Sequence, residues 1–334
     1  MDKNVKQIVD RAMNRGVLSG EEIRSLMALP TATEESFYIQ HAALQKNQEV
    51  MGGKGEIHGQ VGVNSGPCGC NCAFCSFAAS NRIFNEQQVE AIEGIIEKCV
   101  RLQSKGANAV YLMATATMSF KDFISIGRLV RNSLEPETML VANIGDFGCQ
   151  EAIALKEAGF TGVYHAVRLG EGYNTRISIE KRFDTLAAVH KAGLKLGTCL
   201  EPVGPEHSLD ELVEKTLITR EAHPAFSGAA RRIPIPGTSL SSLGKVSEAR
   251  MAHIVAVVCL AIGYAVPGNC THEPNVLGVT AGANLLWAEA GSNPRDTVSN
   301  TENSRGFDIS RCQEIFSEAD IELLKGPSRM FSFV

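Results

Sequence analysis

The residues best suited to chemistry are four cysteines in the stretch CGCNCAFC, which begins at Cys68. Three of them, Cys68, Cys72 and Cys75, have the spacing C-x3-C-x2-C. Three thiolates on one short loop can hold three irons of a [4Fe–4S] cluster, which proteins usually ligate with four cysteines. The fourth iron would then be open to a small molecule. The remaining thiol, Cys70, does not fit this spacing, and we interpret it as a bystander.

A structural zinc site is the alternative interpretation of the same stretch. Four thiols including Cys70 could close a tetrahedral Zn²⁺ site. Zinc-binding knuckles, however, usually come as two pairs that lie well apart in sequence. Here all four cysteines fall within eight residues and no second knuckle exists in the chain. The pattern therefore favours the iron–sulfur cluster.

This cysteine spacing, with Phe74 just before the third cysteine, resembles the radical S-adenosylmethionine (radical SAM) superfamily. In that family the open iron chelates SAM, and an electron from the cluster cleaves SAM to a 5′-deoxyadenosyl radical. The resemblance implies a [4Fe–4S] cluster and SAM as cofactors, with Phe74 against the adenine. It also implies a reductant such as flavodoxin or ferredoxin.

Further stretches, in a shared order over about residues 10–300, resemble biotin synthase and its close relatives. These stretches are NSGPC at 64–68, VYHAVR at 163–168, KRFDTL at 181–186, PVGPE at 202–206, PGTSL at 236–240 and TAGAN at 280–284. The resemblance implies that Arg182 contacts the SAM carboxylate, that Arg168 and Glu171 help to hold SAM, and that Gly204 belongs to a cofactor-binding turn. A surface ion pair of small energy is the alternative for Arg168 and Glu171.

Three polar residues near the predicted strand ends are candidates for binding substrate: Asn143, His165 and Arg232. His165 could instead be a hydrogen-bonded core histidine. Arg231 and Arg232 are consecutive, so a strand would point them to opposite faces and at most one would enter a barrel. An arginine there could hold a substrate carboxylate through two parallel hydrogen bonds.

The chain departs from typical biotin synthases at their second, [2Fe–2S] cluster. That cluster uses cysteines of the second, third and fifth strands and an arginine of the seventh, and of these only Cys199 is present here. We hypothesise that Cys199, Cys270 and Cys312 instead form an atypical auxiliary iron–sulfur cluster that would supply sulfur. Cys149, at the start of a predicted helix, is a further candidate ligand.

The elements that must position these residues alternate regularly between strand and helix. The predicted strands are 56–63, 109–114, 139–144, 162–167, 195–201, 230–235, 264–266 and 283–288, with helical patterns between them. One strand per helix, with apolar strands, predicts parallel βαβ units and a (β/α)8 TIM-type barrel. An open doubly wound sheet is the rival. We predict an N-terminal helical cap (1–50), the radical SAM barrel (51–300) and a C-terminal tail (301–334) over the barrel mouth.

Composition limits the remaining choices. The 334 residues carry a formal net charge of −5, which gives no footprint for nucleic acid. The sequence has neither a membrane-helix pattern nor a signal peptide, so we expect a cytoplasmic protein without a membrane partner. Ten cysteines in such a protein indicate metal or redox chemistry rather than disulfides. A homodimer remains open.

The resemblance implies an enzyme that cleaves SAM and abstracts hydrogen from a small molecule. The leading expectation is the biotin synthase reaction, a sulfur transfer into dethiobiotin. One alternative is an enzyme like the hydrogenase maturase that acts on sulfur-containing small molecules, or like the synthase that rearranges lysine to methylornithine. The second alternative is a non-enzymatic iron–sulfur or zinc-binding module.

Overall fold

A closed barrel of parallel strands surrounded by helices forms the protein, and the computed structural model describes its residues 1–332. The strands are β1 (Lys54–Gly62), β2 (Ala109–Met113), β3 (Met139–Asn143), β4 (Gly162–Tyr164), β5 (Lys195–Gly197), β6 (Leu200–Val203), β7 (Phe226–Arg231), β8 (Gly268–His272), β9 (Leu285–Gly291) and β10 (Glu322–Leu323). The helices are α1 (Lys3–Met13), α2 (Gly20–Met27), α3 (Glu34–Met51), α4 (Ile92–Ser104), α5 (Phe120–Ser133), α6 (Cys149–Glu157), α7 (Ile179–Lys191), α8 (Leu209–Glu221), α9 (Glu248–Ile262), α10 (Val276–Thr280) and α11 (Ile309–Glu318).

Closure of the sheet distinguishes the barrel from the open rival. His58 of β1 pairs in register with Ala109 of β2 on one side and with Trp287 of β9 on the other. The strands β5 and β6 both pair with β7 and share the fifth of eight positions around the ring. The predicted (β/α)8 barrel is therefore confirmed.

Serine caps explain why the outer helices begin where they do. Ser119, Ser178, Ser208 and Ser247 precede α5, α7, α8 and α9, and each side chain accepts a hydrogen bond from the backbone N–H three residues later. Such caps satisfy N–H groups that have no partner within the helix. The repeated caps fix the helix starts, and so the lengths of the loops that follow each strand.

Two predicted strands are wrong in position. The sixth, predicted at 230–235, is β7 (Phe226–Arg231), and the seventh, predicted at 264–266, is β8 (Gly268–His272). After α9 the chain turns at Gly263, whose φ of 83° lies in the region that glycine tolerates best. Both strands contain small or polar residues, such as Gly228 in β7 and Asn269 in β8. Their sequences therefore lack the continuous apolar run that is typical of a buried parallel strand.

The first fifty residues lie on the flank of the barrel. The helix α3 packs against α9, and α2 packs against α8 and α9. Residues 251–262 of α9 are consequently buried on all sides. These helices form an outer layer over α8 and α9.

The C-terminal tail runs from the barrel mouth to the opposite end. Arg305, near its start, pairs with Glu289 at the mouth. The chain then forms α11 on the outer surface and β10, which pairs with the beginning of β1. Phe331 is buried beside Gly162, at the first residue of β4. The predicted placement over the mouth is therefore wrong for most of the tail, because its apolar end fills the base of the barrel.

Within residues 1–332, none of the helices has both the length and the apolar character needed to cross a bilayer.

Candidate active site at the barrel mouth

The cysteine loop follows β1 at the carboxyl end of the barrel, where barrel enzymes place their active sites. Main-chain hydrogen bonds hold it to other parts of the chain. The N–H of Ala73 donates to the carbonyl of Asn174 at 2.8 Å, and that of Ser76 donates to the carbonyl of Pro294 at 2.9 Å. The N–H of Cys68 donates to the carbonyl of Phe77 at 2.7 Å. The loop is thus fixed against both the β4 and the β9 side of the mouth.

All four thiols of the loop line one cavity of about 200 Å³ and none is in a disulfide. A hydrogen bond from Cys70 holds the pKa of Cys68 down at about 6. Burial raises the pKa of Cys72 to about 11, although the charge of Arg168 acts in the opposite direction. The four cysteines therefore differ in electrostatic environment, and Cys68 is the thiol most readily ionised.

The thiols of the loop are the kind of ligand that the cluster implied by the motif requires. Within residues 1–332, no three Cys, His, Asp or Glu side chains stand close enough as placed to hold a metal ion. The loop thiols nonetheless face one cavity, and thiolates are the ligands that iron–sulfur clusters use. The residues Cys68, Cys72 and Cys75 fit the group chemically.

Charged side chains from the loops after β3 and β4, from β6 and from α7 form a network beside the cysteine loop. Arg182 donates from Nε to Glu171 Oε2 at 2.8 Å and from Nη1 to Asp146 Oδ1 at 3.2 Å. Arg168 donates from Nε to Glu201 Oε1 at 3.1 Å. Both arginines line the cavity, while Glu171 is buried behind Arg182. The carboxylates thus hold two guanidinium groups at the cavity wall.

Burial raises the pKa of Asp146, but His165 and Arg182 outweigh it and hold the carboxyl below its ordinary value. The pKa of Glu171 is lowered likewise: Arg168 and Arg182 together overcome burial. Burial lowers the pKa of His165 to about 4. At neutral pH both carboxylates are therefore ionised and His165 is neutral.

The predicted cofactor contacts divide into two groups. Phe74, Arg168 and Arg182 line the cavity that contains the cysteine loop. Glu171 is not among the lining residues but accepts from Arg182 Nε and from the N–H of Arg168, and both of these arginines line the cavity. Gly204 lies against the Glu206 carboxylate and is not among the residues that line the cavity. The prediction for Gly204 therefore has no support from the geometry.

The predicted substrate contacts need two corrections. Asn143 lines the cavity as expected and donates to Gln60 at 3.3 Å. His165 does not reach the cavity: its Nε2 lies 3.1 Å from Asp146, in the buried network behind the wall. Arg232 lies at the wall, but Glu206 takes both Nε and Nη2 and the carbonyl of Leu240 takes Nη1. Glu206 thus occupies the Nε–Nη2 fork of this guanidinium, so a substrate carboxylate cannot bind there through two parallel hydrogen bonds.

The two consecutive arginines also behave differently from the prediction. Both Arg231 and Arg232 contribute to the cavity wall. The strand β7 ends at Arg231, so strand alternation no longer governs the direction of the next residue.

The three cysteines proposed for an auxiliary cluster are not brought together. Cys199 and Cys270 lie together in the inner core of the barrel, and the Cys199 thiol donates to the carbonyl of Ser227 at 3.8 Å. Cys312 lies on α11, outside the barrel, and donates to the carbonyl of Trp287 at 3.3 Å. The wall of β9 separates it from the other two, because Trp287 packs inward while Cys312 packs among the outer core residues. The three-cysteine hypothesis is therefore wrong. Cys149 is exposed at the start of α6.

A second charged network at the mouth was missed by sequence reasoning. Glu289 lies near the end of β9. Its Oε1 is 3.2 Å from His272 Nε2, and its Oε2 is 3.4 Å from Arg305 Nη1. Arg295 lines the cavity and pairs with Glu273, which also binds Arg305. Burial raises the pKa of Glu289, but His272 and the two arginines together lower it overall. The predicted eighth strand ends at residue 288, one residue before Glu289. A strand extended by a few residues, as β9 is, would have included Glu289 on the same face as Trp287.

The cavity floor is largely aromatic. Trp287 and Tyr164 line it, with ring centroids 6.0 Å apart, and Tyr164 donates its hydroxyl to Glu201 at 2.6 Å. Trp287 also stacks on His272 with an interplanar angle of 19°. Trp287 therefore belongs both to the inner core and to the cavity wall.

Comparison with known sequences finds similarity to biotin synthases. The biotin synthase of Desulforudis audaxviator is 25% identical over 297 residues, which is 84% of this chain and 89% of that protein. The biotin synthase of Syntrophus aciditrophicus is 23% identical over 267 residues, covering 77% of this chain and 81% of that protein. A search against family models finds no match.

Comparison with solved structures finds the same fold. Methylornithine synthase (PylB) superposes with a TM-score of 0.80 over 98% of both chains, at 17% identity. The FeFe-hydrogenase maturase HydG from Carboxydothermus hydrogenoformans gives a TM-score of 0.77 at 16% identity, covering 96% of this chain and 79% of that chain.

Proposed function

Because the chain is a biotin synthase-like member of the radical SAM superfamily, we propose that it cleaves SAM at the barrel mouth and abstracts hydrogen from a small molecule there. One observation carries the proposal: the C-x3-C-x2-C thiols and the guanidinium groups of Arg168 and Arg182 line the same cavity at the carboxyl ends of the strands. One bound SAM molecule could therefore contact a cluster held by the thiols and, through its carboxylate, the two guanidinium groups.

In this proposal Cys68, Cys72 and Cys75 hold the cluster, and Phe74, Arg168 and Arg182 hold SAM. When bound, a [4Fe–4S] cluster supplies the electron that cleaves SAM, with a flavodoxin or ferredoxin as its source. The chain itself binds, orients and shields. Arg182 is held by two carboxylates, so its direction is set before SAM arrives. The aromatic floor of Trp287 and Tyr164 keeps water from a reactive radical.

The first test is substitution in the loop. In protein reconstituted anaerobically with iron and sulfide, Cys72→Ala should lower 5′-deoxyadenosine formation from SAM and dithionite at least a hundredfold, because a cluster ligand is lost. Cys149→Ser is the matched control, since that thiol is exposed and does not line the cavity. Unchanged SAM cleavage by the Cys72 variant would refute the proposal.

The first candidate substrate is dethiobiotin, with sulfur insertion as the reaction. Sequence similarity to biotin synthases over most of the chain supports it. The reaction needs a sulfur source, and the separation of Cys312 from Cys199 and Cys270 leaves no assembled three-cysteine site for one. Biotin formed with 5′-deoxyadenosine from SAM and dethiobiotin would support this candidate.

The second candidate is a carbon-skeleton rearrangement without sulfur transfer, such as lysine to methylornithine. Two observations favour it. Cys312 lies apart from Cys199 and Cys270, so these three do not form the expected sulfur-donor site. The fold also superposes on methylornithine synthase over 98% of both chains. Incubation with lysine in place of dethiobiotin, followed by mass spectrometry of the products, separates the candidates. An isomer of the added substrate indicates rearrangement, and a product heavier by sulfur indicates insertion.

A further inference from the structure

Two buried thiols meet inside the barrel at the inner end of the cavity. Cys199, between β5 and β6, lies beside Cys270 of β8 in the inner core, although β7 lies between their strands. The Cys199 thiol donates to the carbonyl of Ser227 in β7 at 3.8 Å. The residue of β7 in register with Cys270 is Gly228, which has no side chain to separate the two thiols. Cys199 also lines the cavity that contains the cysteine loop.

The surroundings of this pair favour the protonated thiol. Both cysteines lie in the inner core cluster with Tyr164, Phe226 and Trp287. Burial, and then the contact with Cys270, raise the pKa of Cys199 well above its ordinary value. At neutral pH and without a metal, such a buried thiol is protonated. It therefore retains its S–H bond, on a residue that lines the cavity.

We propose that Cys199, paired with Cys270, is the hydrogen-atom donor to carbon radicals formed in this cavity. The inference rests on the proposed SAM cleavage, which supplies such radicals. Transfer of hydrogen from the Cys199 thiol to a carbon radical forms a C–H bond and leaves a thiyl radical on Cys199. The Cys270 thiol then releases its proton, a sulfur–sulfur bond forms between the two residues, and one electron passes to an iron–sulfur acceptor. A dithiol reductant restores both thiols by supplying two electrons and two protons.

This chemistry narrows the substrate class. A radical quenched by Cys199 ends as a C–H bond whose hydrogen came from a thiol. The product would be an epimer or a rearranged isomer of the substrate, and it would carry no new sulfur. Thiol hydrogens exchange with water, so the new hydrogen would derive from solvent.

Solvent deuterium tests the donor without a known substrate. Reconstituted protein in D₂O, given SAM and dithionite alone, should form 5′-deoxyadenosine that contains deuterium, because Cys199 carries S–D and quenches the deoxyadenosyl radical. Cys199→Ser preserves the shape of the side chain but its O–H bond is too strong to donate. We expect the deuterated fraction to fall at least fivefold in this variant. Cys99→Ser, a buried cysteine of α4 away from the cavity, is the matched control and should resemble wild type.

The outcomes separate the two proposals. An equal deuterated fraction in wild type and Cys199→Ser would overturn the donor role while leaving SAM cleavage intact. Absence of 5′-deoxyadenosine from wild type would refute the proposed function, and the donor role with it. Peptide mapping after diamide treatment gives a measurement that needs no cluster: a Cys199–Cys270 disulfide should form in wild type, and failure to form it would overturn the pairing.

Discussion

At the scale of single residues, the site depends on arginines whose directions are fixed by buried carboxylates. Arg182 is 3% exposed and satisfies Glu171 and Asp146 together. Its planar fork can serve both partners, whereas a lysine offers a single charged nitrogen. Removal of one partner from such a buried group leaves the other charges uncompensated. Arg182 therefore links the residues Glu171 and Asp146, from two different loops, at the wall of the cavity.

Arg182→Lys should therefore weaken SAM binding about tenfold or more while retaining the positive charge. Equilibrium dialysis with labelled SAM on the reconstituted protein measures the dissociation constant. Arg128→Gln is the control, because that side chain is exposed on the outer helix α5. An unchanged dissociation constant in the lysine variant would show that the fork geometry does not matter to SAM.

At the scale of elements, α9 connects the barrel to the N-terminal helices through one buried histidine. His253 lies 2.8 Å from Ser36 of α3 through Nδ1 and 2.8 Å from the carbonyl of Leu26 of α2 through Nε2. Burial lowers its pKa to about 4, whereas an unfolded histidine has a pKa of about 6.5. Between these values the unfolded chain binds a proton that the folded chain does not, so acid favours unfolding.

The contribution of neutral His253 to the free energy of unfolding is thus fully present above about pH 6.5, and it is lost as the pH falls toward 4. The free energy of unfolding should decrease over this window by up to about 3 kcal/mol from this group. In His253→Gln, the slope of that free energy against pH should be smaller, as measured by urea denaturation between pH 4 and 7. His41→Asn, on the exposed face of α3, should retain the wild-type slope. A variant slope as steep as wild type would assign the acid sensitivity elsewhere.

At the scale of the whole molecule, the barrel is closed at its base by the end of its own chain. Ser328 donates its N–H to the carbonyl of Asn108 at 2.8 Å, and the N–H of Arg329 donates to buried Glu56 at 2.9 Å. The ring of Phe331 lies 5.9 Å from that of His58 and 6.1 Å from that of Phe226. The tail therefore completes the inner core on the side opposite the proposed chemistry.

Phe331→Ala should destabilise the protein by about 3–5 kcal/mol, the range for loss of a fully buried phenylalanine. Phe331 is 2% exposed, whereas Phe37 is 63% exposed. Phe37→Ala is thus the control and should change stability by about 0.5 kcal/mol or less. Urea denaturation measures both variants. Equal stabilities would mean that the tail is not part of the folded core.

The sequence alone determined the features that depend on local pattern. The spacing of Cys68, Cys72 and Cys75 identified the loop, and the alternation of apolar strands with helical patterns predicted the barrel, because both signals lie within short stretches. Strand ends were less certain, since β7 and β8 contain small and polar residues that weaken the pattern.

Only the tertiary structure decided which distant side chains meet. It brought Cys199 to Cys270, placed Cys312 behind β9 and withdrew His165 into a buried ion network. Side chains far apart in sequence meet according to strand order, register and the direction of each strand face, and a shift of one residue reverses that face. Local spacing contains none of this information, so the position of the loop after the first strand was predictable and the contacts of the opposite wall were not.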